Sequence, residues 1–136
     1  MKLSRYHWVV QTKHPTINKK DKLKENMKMV EKVFEMTQTH EKIIEKVFVN
    51  EHLQYTHAVF PQNDGLPLHQ SNANVCMTVL KGTLSIGLND EEVKTYLPMH
   101  VLWIPFNTKM NVRNEHQETL EILIIKAPAP GEFYHQ

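Results

Sequence analysis

From about Val30 onward the chain is a succession of short apolar segments, many of them β-branched and most closed by turn residues. The candidates are Val33–Met36, Ile43–Val49, Leu53–Phe60, Val75–Leu80, Thr83–Leu88, Val93–Leu97, Val101–Ile104, Lys109–Arg113 and Leu120–Lys126. Their spacing of roughly 8–12 residues, with no amphipathic helix between them, predicts an antiparallel sandwich or barrel. No window after residue 40 holds a helical period. Thr83–Leu88 alternates strictly, which places Leu84, Ile86 and Leu88 on one face. Pro61-Gln-Asn-Asp-Gly65, Asn89-Asp-Glu-Glu92 and Asn114–Glu118 carry turn chemistry. The tail Ala127-Pro-Ala-Pro cannot continue a sheet, because proline lacks a donor.

The 136 residues suffice for one domain with a real core. A formal net charge of +1 argues for no nucleic-acid or membrane partner through a global field. No apolar run approaches the roughly 18 residues of a membrane span, and the start lacks a signal-type apolar core. One cysteine, Cys76, forms no internal disulfide and fits a reducing compartment, so a cytoplasmic location is expected. Residues 1–28 differ in texture from the rest. Lys19, Lys20, Lys22, Lys24 and Lys28 make them basic, and Asn18 is placed to cap a helix from about Lys19 to Met29. Tyr6, Trp8, Val9 and Val10 offer an extra strand for the barrel or for a partner. Two regions are therefore expected: an extension over 1–28, helical or extended or exchanged with a partner, and a barrel over 29–136.

The most distinctive chemistry lies in two stretches. The first holds Gly65, His69, Ser71, Val75 and Gly82; the second holds Met99, Pro105, Asn107, Met110 and Asn114. They resemble the two motifs of the cupin superfamily, Gly-x5-His-x-His-x3,4-Glu-x6-Gly and Gly-x5-Pro-x-Gly-x2-His-x3-Asn. His69 stands at the first His and Gly82 at the last Gly, while Ser71 replaces the second His and Val75 the Glu. Gly65 is displaced from the first Gly. Pro105 and Asn114 match the second motif, where Met99 and Asn107 occupy its glycines and Met110 its His. The resemblance spans about residues 29–130. It implies an all-β double-stranded β-helix, or jelly-roll barrel, with a short N-terminal helical or extended segment.

A cupin metal centre takes three His and one Glu, and this chain keeps one of the four. The resemblance thus implies a barrel in which no cofactor is expected. The alternative is a transition metal held by His69 with His57 and Met110, or a soft ion held by His69 with the thioethers of Met77 and Met110. The pocket expected at the barrel mouth holds His69, Ser71, Val75, Met77, Trp103 and Met110, with Tyr55 as a further contributor. Such a pocket suits a small organic ligand. His69 could anchor a carboxylate, exchange protons, or be a satisfied interior histidine. The competing reading is a divergent cupin enzyme, an isomerase, decarboxylase or oxygenase, that uses His69 with a non-standard metal site. Family likeness further implies a homodimer. Cys76 is expected to face away from Val75 and Met77, and Asn114 to make turn hydrogen bonds.

Overall fold

The computed structural model describes residues 29–131. They form ten strands: β1 Ile43–Val49, β2 Gln54–Phe60, β3 Asp64–Gly65, β4 His69–Gln70, β5 Val75–Lys81, β6 Leu84–Leu88, β7 Lys94–Tyr96, β8 Val101–Ile104, β9 Lys109–Asn114 and β10 Leu120–Lys126. One five-stranded sheet runs β1-β2-β10-β5-β8, and the second runs β3-β9-β6-β7 with β4 also paired to β9. All pairings are antiparallel. The chain crosses repeatedly from one sheet to the other, which is the connectivity of a jelly roll.

Period-two alternation builds the core. Ala58 and Phe60 of β2, Val75, Met77 and Val79 of β5, Leu84 and Ile86 of β6, Met110 and Val112 of β9, and Leu120, Ile122 and Ile124 of β10 point between the sheets and are buried. The intervening residues Cys76, Thr78, Leu123 and Ile125 are half-buried on the opposite face of the first sheet. Cys76 therefore faces away from Val75 and Met77 as its parity requires, although it is half-buried rather than enclosed.

The expected strand at Val33–Met36 does not form. The segment before β1 crosses the outer face of β1 and β2 instead. Phe34 stacks on Phe48 with centroids 5.0 Å apart, and Phe48 stacks on Tyr55 at 5.4 Å. A β-bulge between Lys46 and Phe48 turns Phe48 to that face opposite Tyr55. Side-chain stacking and a hydrogen-bonded Thr37, described below, hold this segment where a ladder was expected. The expected helix over Lys19–Met29, except for Met29 itself, and the strand-like Tyr6, Trp8, Val9 and Val10 fall on residues 1–28, outside the described part.

Glycine is demanded at two places by close backbone approach. A Cβ on Gly65 would lie 2.1 Å from the Val112 carbonyl oxygen, and one on Gly82 would lie 2.5 Å from that of Thr119. Gly82 also has φ of 78°. Met99 and Asn107, which stand at the glycine positions of the second motif, have φ of 75° and 70°. The left-handed backbone is thus kept where the glycine is not.

Candidate functional site at the barrel mouth

A cavity of about 520 Å³ opens between the two sheets at one end of the barrel. Its first wall comes from the inward rows of three adjacent strands. β1 contributes Ile44 and Lys46, β2 contributes Gln54 and Thr56, and β10 contributes Ile124 and Lys126. Each row is apolar or weakly polar inside and ends in a strongly polar residue at the mouth. Register brings these ends together, because Lys46 pairs with Thr56 and Gln54 pairs with Lys126. Met77 of β5 and Met110 of β9 form a buried apolar floor. Leu66, Pro67 and His69 supply the wall nearest the second sheet, with Asn72 at the rim.

His69 lies opposite Met110 in the β4–β9 ladder. Its Nδ1 donates to the Pro67 carbonyl at 2.8 Å. In a neutral ring that bond places the lone pair on Nε2. Lys126 donates to the Asn72 Oδ1 at 2.7 Å. Burial, and next the charge of nearby Lys46, push the Lys126 ammonium below its usual range. No acidic side chain lines the cavity among the described residues.

The structure brings together His69, Met77 and Met110 of the residues singled out from sequence. Ser71, Val75 and Trp103 do not line the cavity. Ser71 directly follows β4 and is buried against the turn that precedes β9. Its hydroxyl donates to the Pro105 carbonyl at 3.0 Å and accepts from the Thr108 N–H at 3.0 Å. Its own backbone pairs with Asn107 and Thr108. The position of a metal-binding imidazole has become a turn clamp. Val75 is packed in the core, and Trp103 points off the opposite face of edge strand β8 with 63% of its surface exposed. Tyr55 also faces outward, in the stack with Phe48. Asn114 caps its turn, donating to the Phe60 and Glu118 carbonyls and accepting from the His116 N–H.

His57 is likewise remote from the mouth. It lies on the outward parity of β2, fully buried, with Nδ1 2.8 Å from Glu45 and Nε2 2.6 Å from Glu121. Its ring nitrogens meet two carboxylates on opposite sides, and it is no partner for His69. Lys46 and Lys126 were missed at the level of sequence. The signal was available, since Lys126 continues the alternation of Leu120, Ile122 and Ile124.

A cupin metal centre does not fit these donors. Among the described residues, His69 is the only His, Cys, Asp or Glu on the cavity wall, and no group of three such side chains is arranged to hold an ion. Among the described residues of this wall, a hard divalent cation would also meet the ammonium groups of Lys46 and Lys126 and no carboxylate.

Two crossed sheets closed around a mouth of this kind define a double-stranded β-helix protein. The chain belongs to the RmlC-like cupin family. It is 36% identical over 103 residues to an uncharacterised protein of Methanocaldococcus jannaschii, covering 75% of this chain and 89% of that one. The crystal structure of a double-stranded β-helix RmlC-like cupin family protein from the same organism matches with a TM-score of 0.72 at 35% identity, over 74% of this chain and 94% of the other. A cupin superfamily protein of Desulfitobacterium hafniense (TM-score 0.59, 13% identity, 68% and 82% covered) and a cupin domain of Bordetella pertussis (0.56, 17%, 68% and 98%) share the fold. No family model matches the chain.

Proposed function

We propose that this protein is a binding module that holds a small organic molecule in the barrel mouth without a resident metal ion. One observation carries the reading. The mouth is a cavity of about 520 Å³ with an apolar floor and a few polar groups at its rim, within the usual size of ligand sites. The donor set supports the metal-free part, since one imidazole and two thioethers on this wall sit beside two lysines. The test is elemental mass spectrometry on protein purified without a His tag or chelator, together with native mass spectrometry of the same sample. The expected result is far less than one metal per chain and an added organic mass. Near-stoichiometric metal that disappears in His69→Ala would overturn this reading in favour of a divergent cupin enzyme.

The partner in solution is proposed to be a second copy of this chain, joined through β8. That edge strand presents Val101 and Trp103 to solvent, 65% and 63% exposed, and carries no charged residue. An antiparallel β8–β8 contact is self-complementary and would cover an otherwise hazardous edge. The single cysteine supports a reducing, cytoplasmic location.

A further inference from the structure

We infer that Lys126 is a nucleophilic amine that captures a small aldehyde in the barrel mouth as an imine. This rests on the proposed binding function and deepens it, adding the reacting atom and the class of ligand. β10 is the middle strand of its sheet, and Lys126, its last residue, pairs with Gln54 on one side and Val75 on the other. Its parity is that of Leu120, Ile122 and Ile124, so its stem leaves the sheet on the inner face and lines the cavity. The next residue is tied as well, the Ala127 N–H donating to the Asn74 carbonyl at 3.4 Å. A lysine rooted between two ladders presents its amine to a bound molecule from a fixed backbone, as a reacting group requires.

The amine is also held differently from others on the barrel. Lys42, Lys81, Lys94 and Lys109 lie 3.0 Å, 3.8 Å, 3.4 Å and 3.7 Å from carboxylates. Lys126 Nζ donates instead to the amide oxygen of Asn72 at 2.7 Å, with no carboxylate partner among the described residues. An amide oxygen orients the nitrogen without the negative charge that would favour the ammonium. Burial pushes that ammonium below its usual range, which enlarges the share of free amine at neutral pH. The amine lone pair attacks the carbonyl carbon, and the π pair of the C=O bond moves to oxygen. Both amine protons pass to that oxygen, the C–O bond breaks, and the nitrogen lone pair closes the C=N bond as water leaves. The step balances without an oxidant, a reductant or a further reactant. An aldehyde suits it better than a ketone, because its carbonyl carbon is less shielded and more electrophilic. The wall is mixed and serves the rest of the molecule. Met77, Met110 and Ile124 take its apolar part, and Gln54, Thr56 and His69 offer hydrogen bonds to polar substituents. Held there, the carbonyl meets the amine at a high effective concentration.

The test treats the full chain with equimolar 3-phenylpropanal and cyanoborohydride at neutral pH, followed by digestion and peptide mass mapping. Reduction turns the imine into a stable secondary amine, so the lysine that reacted is read directly. Lys126 is expected to be labelled about tenfold faster than any other lysine. The alcohol 3-phenylpropan-1-ol has the same body without the carbonyl, and it is expected to slow labelling of Lys126 and of no other lysine. Lys126→Arg keeps the positive charge and should lose the label at this position while still binding the alcohol in native mass spectrometry. Labelling spread evenly over the exposed lysines of the parent protein would overturn the inference, an outcome that depends on no variant. Preferential labelling that the alcohol does not slow would separate the amine from the cavity and overturn it too. If the parent protein binds the alcohol but Lys126 is not preferred, the nucleophile falls and the binding function stands. If neither is observed, the two fall together.

Discussion

His57 Nδ1 lies 2.8 Å from Glu45 Oε2, both side chains essentially without solvent contact, beneath the segment that precedes β1. The other ring nitrogen is 2.6 Å from Glu121. Carboxylates only accept, so with both ionised each ring nitrogen carries a proton and His57 is an imidazolium. Thr37 completes the arrangement, donating its backbone N–H to Glu45 Oε2 at 2.7 Å and its hydroxyl to Oε1 at 2.8 Å. The network thereby fastens the segment before β1 to the sheet.

Replacing His57 by Leu should therefore destabilise the fold severely. It leaves Glu45 buried without its cation, a change that typically costs about 3–5 kcal/mol. Urea denaturation of the two proteins measures this. A loss below about 1 kcal/mol would mean the carboxylates find other partners.

The same network sets a pH window. Burial disfavours the imidazolium, but the bonds to Glu45 and Glu121 outweigh it and raise the pKa of His57 above its ordinary value. Burial likewise opposes the Glu45 carboxylate, and its bonds to His57 and Thr37 outweigh that and lower its pKa. The His57 contribution is fully present below the unfolded value, near about 6.5, and is lost as pH rises through the raised folded value. The Glu45 contribution is present above its unfolded value, near about 4.3, and is lost as pH falls through its lowered folded value. Denaturation midpoints should thus decline on both sides of a maximum, and His57→Leu should lack the alkaline decline. Matching alkaline slopes in the two proteins would contradict this account.

Met99 holds a left-handed φ of 75° while 86% exposed, so its side chain adds strain and little packing. Met99→Gly should raise stability by roughly 0.5–1 kcal/mol, the strain relieved less the entropy that glycine adds to the unfolded chain. Thermal unfolding decides it, with a lowered Tm as the contrary result. Asn107→Gly should change less, because asparagine tolerates this backbone.

Ser71→Ala removes the hydroxyl that bridges Pro105 and the Thr108 N–H. A buried donor without a partner costs about 1–3 kcal/mol, and that loss is expected in chemical denaturation. Since Ser71 stands off the cavity, an organic mass carried by the parent protein in native mass spectrometry should persist wherever the variant is folded; its loss would place this residue in the site.

If β8 joins two copies, Trp103→Lys should convert a dimer to a monomer with its fold intact. Sedimentation equilibrium distinguishes the species, and a monomeric parent protein would refute the arrangement.

Much of the barrel was legible in the residues themselves. Alternation in Thr83–Leu88 placed Leu84 and Ile86 in the core, turn chemistry separated the strands, and Gly82 and Pro105 kept their motif positions. Those signals are local, because side-chain parity and turn preference act over a few residues. Local pattern failed at Val33–Met36, where an apolar alternation serves stacking and anchoring rather than a ladder. It also misplaced Ser71, Val75 and Trp103. Motif position names a place in the chain, whereas turn geometry and strand parity decide where the side chain goes. Only the tertiary structure could join Glu45, His57 and Glu121, the histidine lying 12 and 64 residues from its partners, or gather Lys46, Gln54 and Lys126 at one mouth. Those meetings depend on the register of β1 against β2 and of β2 against β10, and register between distant strands is settled by the packing of the whole core.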